Sequence, residues 1–395
     1  MTIQTKAPDI RFENFSGDWQ DKGIGSILAE TRRPVELLDN ELYQLVTVKR
    51  RNEGVVARAS LKGKDILVKN YFGIKSGDYL ISKRQVVHGA NGIVPESLDN
   101  AVVSNEYLVV TDSDEITAKF WTVISKRHQM HKLFFISSYG VDIEKLVFDV
   151  TDWKSRVITI PDVTEQSAIT DYFRQLDSLI NQHQQKHDKL SNIKKAMLEK
   201  MFPKPGKTIP EVRFKGFSGE WEEKELGSVA QITMGQSPSG ENYTNNPNDF
   251  ILVQGNADLK NGFVVPRVWT SEVTKKAVKG ALIFSVRAPV GEVGKTNYDV
   301  VLGRGVAAVY GNEFIYQQLK KLKSDNYWHK VSAGSTFDAI SSTELASTLI
   351  WISSEPEQEK IGNYFQKLDV LINQHQQQII KLTNIKQACL SKMFV

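Results

Sequence analysis

Two stretches of the chain carry apolar residues at alternating four- and three-residue steps, which places them along one stripe of an α-helix. The first runs Ile169, Phe173, Leu176, Ile180, His183, His187, Leu190, Lys194, Met197 and Met201. The second runs Ile361, Phe365, Leu368, Ile372, His375, Ile379, Leu382, Lys386, Cys389 and Met393. Both lapse at the same lysine, with Ile193 and Ile385 one residue earlier, so a shift of the seam is predicted there. Asp162 with Glu165, and Ser354 with Glu357, have the spacing of a capping box at each helix start. Elsewhere the apolar runs are short and bounded by Gly, Asn and Ser. They predict strands over 79–82, 101–110, 250–254, 281–286 and 300–310, and helices over 120–131 and 314–323.

The two stripes are copies of one another. From Glu165 to Phe202 against Glu357 to Phe394, an offset of 192, 24 of 38 residues are identical. A second repeat lies upstream of each: 8–28 matches 210–230 at an offset of 202, with 10 identities in 21. The chain is thus two consecutive units, 8–202 and 210–394, joined by Pro203-Lys204-Pro205-Gly206-Lys207, which stops a helix. The middles share only a skeleton. Gly77 through Arg84 stands against Gly280 through Arg287, and Gly89 with Gly92 against Gly291 with Gly294. Alike ends with unlike middles suggest one kind of partner bound twice and two different targets read once each.

A helix of 38 residues is a rod of roughly 57 Å, and neither helix can leave its apolar stripe in water. The simplest packing is an antiparallel pair within the chain; a parallel pair or a coil between molecules is the alternative. The expected fold is therefore α+β (mixed α/β), with two globular domains separated by an antiparallel coiled coil and pseudo-twofold symmetry. The predicted boundaries are 1–160 for the first domain, 161–202 for its helix, 203–209 for the linker, 210–353 for the second domain and 354–395 for its helix. The expected helix interface is Ile169, Phe173, Leu176, Ile180, His183, Leu190 and Met197 against Ile361, Phe365, Leu368, Ile372, His375, Leu382 and Cys389. His183 and His375 read as polar groups fixing register rather than as metal ligands, because no carboxylate or cysteine cluster accompanies them.

Composition narrows the picture. With 395 residues, 41% of them hydrophobic, there is enough for two cores. A single cysteine, Cys389, excludes a disulfide framework and a cysteine-rich zinc site, and fits a reducing cytoplasm. No long apolar run implies a membrane span, and the first residues lack the apolar core of a signal peptide. The formal net charge of +4 permits nucleic-acid binding without requiring it.

Arg, Lys, Gln and Asn on loops are the residue types that grip phosphates and read base edges. Candidates are Lys49 and Arg50; Lys83, Arg84 and Gln85; Asn91; Gln236 and Ser237; Arg287; and Arg304. Lys275-Lys276 and Lys320-Lys321-Lys323 read as solvated faces. Residues 288–296 imitate a phosphate-binding loop, but Pro289 stands where the first glycine belongs and supplies no amide hydrogen. Residues 245–250 read as a turn. Nothing in the sequence offers catalytic machinery.

These features resemble the specificity subunit of a type I restriction–modification system. The resemblance rests on the helix entries Thr164-Glu165-Gln166 and Pro356-Glu357-Gln358, on Leu176-Asp177 and Leu368-Asp369, and on the Met-Phe helix ends. It also rests on Arg213-Phe214 through Trp221, on Gly235-Gln236-Ser237-Pro238-Ser239 and on Gly334-Ser335-Thr336, which adds Ser335 and Thr336 to the candidates. It implies a non-catalytic, cytoplasmic subunit. Each of its domains would read half of a bipartite asymmetric site on double-stranded DNA, with the helices as spacer. It further implies two modification subunits docked on the repeats and restriction subunits joining them. S-adenosylmethionine, ATP and Mg2+ would be bound by those partners and none by this chain. The rival readings are a stand-alone methyltransferase or nuclease, and a coiled-coil protein scaffold.

Overall fold

The computed structural model describes residues 6–67, 70–332 and 339–395. Two compact units divide the chain, 1–182 together with 379–395, and 183–378. Both divisions fall inside the long helices Val163–Lys200 and Glu355–Lys392. Each unit is thus a mixed α/β domain with the start of the helix that follows it and the end of the other helix.

In the first unit, Gln20–Gly23 pairs antiparallel with Val157–Ile160, next to the helix entry. A four-stranded sheet has the order Ala29–Glu30, Tyr107–Thr111, Tyr79–Ser82, Asn91–Ile93. A five-stranded sheet has the order Pro34–Val35, Tyr71–Gly73, Val102–Ser104, Leu42–Lys49, Gly54–Lys62. In the second unit, Glu222–Glu225 pairs with Leu349–Ile352. Its six-stranded sheet runs Gln231–Met234, Val306–Tyr310, Leu282–Ser285, Val293–Lys295, Phe263–Val264, Leu259–Lys260. Its five-stranded sheet runs Tyr243–Thr244, Val268–Thr270, Phe250–Val253, Val300–Leu302, Lys276–Ala277.

The faint skeleton in the sequence is a shared sheet register. Tyr79–Ser82 and Leu282–Ser285 are buried along their whole length, which is why each reads as a continuous apolar run. Gly92 lies opposite Leu80 in the first unit, and Gly294 lies opposite Ile283 in the second. Gly77 and Gly280 open the two strands at φ of 90° and 93°, a left-handed turn that favours glycine. Three predicted elements divide in two. The 101–110 strand breaks at Asn105-Glu106, and the 300–310 strand breaks at Gly303-Arg304-Gly305. The 120–131 helix becomes Ala118–Ile124 and His128–Ile136, because Ser125 turns inward to bond the Tyr79 hydroxyl at 2.6 Å.

The helices run antiparallel inside each unit. In the second, His183 meets His375, Lys194 meets Asp369, and Phe202 stacks near Phe365. In the first, Lys386 bonds Asp177, Tyr172 lies 3.6 Å from Cys389 Sγ, and Phe173 stacks near Phe394. Ile169, Phe173 and Leu176 enter the core of the first unit with Met393 and Phe394, and Leu382 and Cys389 pack at its edge. Ile361, Phe365 and Leu368 enter that of the second with Met201 and Phe202, beside Leu190 and Met197. Ile180, His183, Ile372 and His375 are half-buried.

Two expectations need correction. The seam does not shift at Lys194: Ile193 is 38% exposed, whereas Lys194 is 8% exposed and donates twice to Asp369 at 2.6 and 2.7 Å. A lysine can hold an apolar seam position when its stem packs there and its ammonium finds a buried acid. The first capping box is half-formed, and in the second the Glu357 amide donates to the Ser354 carbonyl rather than to its hydroxyl. Asp162 does accept from the Glu165 amide at 2.9 Å, but the Glu165 carboxylate takes a bidentate pair from Arg11 instead of closing back on the cap. Glu357 does the same with Arg213. Each Arg also donates to a glycine carbonyl of its own Phe-Ser-Gly segment, Gly17 or Gly219. The upstream repeat is therefore a clamp on the helix entry.

Candidate nucleic-acid interface

In the second unit four loops converge at the strand ends. The Gly235 amide donates to Val306 O and the Gln236 amide to Leu302 O, which lays the 235–239 loop beside Gly303-Arg304-Gly305. Glycine is needed here because a Cβ at Gly235 would collide with the Gly303 carbonyl, and one at Gly305 with the Gln254 carbonyl. Ser237 Oγ accepts from the Arg304 amide at 3.1 Å, and Glu272 accepts from the Ser239 amide at 2.8 Å. The Val286 amide donates to Gly305 O, bringing Arg287 alongside, and Arg287 bridges to Ala339.

Gln236, Ser237, Arg287 and Arg304 are thus gathered into one surface. Gln236, Arg287 and Arg304 are exposed, and Ser237 is half-buried. Among the described residues neither guanidinium meets a carboxylate, so both are available to a phosphate or a guanine edge. The predicted Ser335 and Thr336 lie outside the described residues. Sequence reasoning missed Gln254, which is exposed on the same surface and bonds the Tyr243 hydroxyl at 3.0 Å. Its place at the end of a buried strand, before Gly255, was the available signal.

The first unit arranges its candidates differently. Its long hairpin Leu42–Lys62 turns at Arg51 and Asn52, whose amides dock on His88 O and Gly89 O. Lys49 and Arg50 are exposed there, and Arg50 pairs with Glu144 at 2.7 Å. Arg84 is exposed and pairs with Glu106 at 2.8 Å, which raises its pKa. Lys83 is half-buried and donates to Asn105 O at 2.7 Å, and burial pushes its ammonium down. Gln85 is half-buried, with Oε1 unpartnered among the described residues. Asn91 is a correction: as part of the strand Asn91–Ile93 it is 2% exposed and cannot present its amide to a duplex without moving.

The other candidates resolve simply. Lys295, in the imitation phosphate loop, belongs to the strand Val293–Lys295 and bonds Glu313. Residues 246–249 form a turn closed by Asn246, which accepts from the Asn248 and Asp249 amides. Lys321 and Lys323 pair with Asp325 and Glu292, as solvated faces do, but Lys320 is a correction: it is half-buried over the Tyr316 ring. His183 Nδ1 and His375 Nδ1 stand 2.9 Å apart, so one ring must be a neutral acceptor. Burial and the His183 charge hold the His375 pKa below its ordinary value. Among the described residues no three His, Cys, Asp or Glu side chains are grouped as a metal site requires, and no helix is long and apolar enough to cross a membrane.

Residues 218–384 match the family model described as the type I restriction modification DNA specificity domain. A curated protein of Methanocaldococcus jannaschii, described as a type I restriction enzyme MjaX specificity subunit, is 27% identical over 257 residues. That match covers 62% of this chain and 60% of the relative's length. The fold is similar to a solved type I restriction–modification S subunit from M. genitalium, with a TM-score of 0.67 at 16% identity over 98% of this chain and 99% of that one. It is also similar to a chain from a structure addressing complex assembly and conformational transition of the type I R-M system, with a TM-score of 0.52 at 22% identity over 95% of this chain and 97% of that one. At these identities the structural likeness is one of fold. The domain match lies in the second unit and most of its helix, and the curated relative is similar over a little under two thirds of each chain; both are descriptions of type I restriction specificity proteins.

Proposed function

We propose that this chain is the non-catalytic, cytoplasmic specificity subunit of a type I restriction–modification complex, with each unit reading one half of a bipartite, asymmetric DNA target. The carrying observation is the common sheet register beneath unlike loops: Gly92 opposite Leu80 and Gly294 opposite Ile283 frame entirely different surfaces. In the second unit the reading surface is Gln236, Ser237, Gln254, Arg287 and Arg304; in the first it is Lys49, Arg50, Lys83 and Arg84. The helices act as spacer, since a rod of roughly 57 Å exceeds one turn of duplex, about 34–36 Å. Two modification subunits dock on the repeated segments and bring S-adenosylmethionine, and restriction subunits bring ATP and Mg2+.

The test is DNA binding by the chain assembled with its modification partner, across a salt series. The expected result is affinity that falls steeply as salt rises, with Arg287→Ala and Arg304→Ala each weakening binding. Salt-independent binding, or no binding to DNA, contradicts the reading and favours a protein scaffold. Stoichiometric S-adenosylmethionine binding by the purified chain alone favours a stand-alone methyltransferase.

A further inference from the structure

Asp177 and Asp369 occupy matching places in the two units, yet their surroundings differ in space and in charge. In each unit one carboxylate serves two lysines. Asp369 bonds Lys194 and is held below its ordinary range, against its burial, by the charges of Lys320 and Lys194. Asp177 bonds Lys386 and stands 3.7 Å from Lys126. Lys126 and Lys320 correspond at an offset of 194, as do Phe120 and Phe314, which pack on Phe394 and Phe202 respectively.

The same offset sets Lys119, Thr122 and Val123 against Glu313, Tyr316 and Gln317. In the second unit these three side chains close and neutralise the site. Gln317 donates to Asp369 and to Glu313, both at 2.9 Å. Glu313 binds Lys295, and the Tyr316 ring, 3% exposed, lies under Lys295 and Lys320. In the first unit the smaller Thr122 and Val123 leave a cavity of about 310 Å3, and Lys119 puts a positive charge where Glu313 is negative.

The cavity wall of the first unit holds unanswered hydrogen-bonding groups. Asn91 and Thr170 are 2% and 3% exposed, yet Asn91 Nδ2 and Thr170 Oγ1 have no partner among the described residues, and neither does Asn52 Oδ1 nearby. Buried polar groups left unpaired are costly, and these sit just behind the wall of one cavity, where a small side-chain rotation would let an occupant satisfy them. Lys119, Lys126 and Lys386 face a single acid, Asp177; Arg174 at the rim has its own partner in Asp171. Phe173 and Leu390 supply an apolar wall. Volume, excess positive charge and amide and hydroxyl groups together describe a small-molecule site.

We propose that this cavity of the first unit binds a small organic anion, a molecule bearing phosphate or carboxylate and no larger than a mononucleotide, and that the second unit has lost the equivalent site to its own side chains. Burial and the nearby Lys386 charge already push the Lys126 ammonium down, and an incoming anion reverses that.

The test is calorimetric titration of the full chain with pyrophosphate, adenosine monophosphate and citrate, with sodium chloride as the control for bulk screening. At least one probe should bind saturably, one per chain, and raise Tm. The phosphate and carboxylate probes tell the two headgroups apart. Lys119→Glu, at an exposed position, should weaken binding at least about tenfold. The double variant Thr122→Tyr/Val123→Gln, which copies the second unit, should abolish it with the fold intact by circular dichroism. No saturable binding by any probe, or binding unchanged in Lys119→Glu, overturns the proposal.

Discussion

The two units solve the same packing problem with different degrees of completion. In the second, Asp369 is enclosed by Lys194, Gln317 and Lys320, and Arg287 and Arg304 are exposed with no acid partner among the described residues. In the first, Asp177 is 38% exposed beside an open cavity, and its arginines carry acids of their own. The lesson is that the repeated helix sequence sets one lysine partner of each carboxylate, while the unlike middle decides how dry and how neutral the place becomes.

The largest effect expected from this comparison is at the helix ends. Phe202 follows the first helix but packs on Trp221, Phe314 and Phe365; Phe394 packs on Trp19, Phe120 and Phe173. Phe202→Ala should destabilise the second unit by about 3–5 kcal/mol, and Phe394→Ala the first by a similar amount. Hydrogen exchange resolved by segment checks this: each variant should lose protection in the unit that holds the ring. Equal loss in both units would contradict the division of the helices.

Next in size is the carboxylate pair. Asp369→Ala strands a lysine that is 8% exposed and whose pKa burial pushes down to about 8, so a loss of roughly 3 kcal/mol is expected. Asp177→Ala should cost about 1 kcal/mol, because its partners are better solvated. Denaturant unfolding of the two variants should show that ordering, and a reversed ordering would break the comparison.

The arginines follow. Arg287→Ala and Arg304→Ala should each weaken DNA binding by about 1–3 kcal/mol. Arg50→Ala and Arg84→Ala should cost less, since DNA must first displace Glu144 or Glu106. Competition binding at fixed salt measures the difference.

The smallest effect is the histidine pair. The His375 pKa is lowered by burial, then by the His183, Lys186 and His187 charges. The unfolded chain therefore binds a proton more readily, and stability rises with pH in that window. This contribution is complete above about pH 6.5, the ordinary histidine value, and is lost as pH falls through the folded pKa. A pH series on His375→Gln should show a flatter slope below that point than the parent.

Much of this was legible beforehand. The repeat marked both helices, and the 4-3 spacing named residues that are buried near the helix entries and mostly half-buried along the rest of the stripe, because a helix buries one stripe whatever it packs against. The lysine lapse misled at Lys194 but not at Lys386, where Ile385 packs against the first core; a half-buried acid on the other helix is a tertiary fact with no local signal. The Glu of the expected capping box misled for the same reason: Arg11 is 154 residues away. Asn91 shows the limit of reading loops by composition, because an Asn beside glycines looks like a turn and proves to be a strand residue paired with Ile81. The convergence of the 235–239 loop on Gly303-Arg304-Gly305 is likewise set by strand order rather than by spacing.

The most direct measurement is selection from a randomised duplex pool by the chain assembled with modification subunits. The account predicts two short specified blocks, unlike in sequence, separated by a fixed unspecified gap that lengthens when one heptad is inserted into both helices. One continuous motif, or a gap unmoved by the insertion, would contradict it.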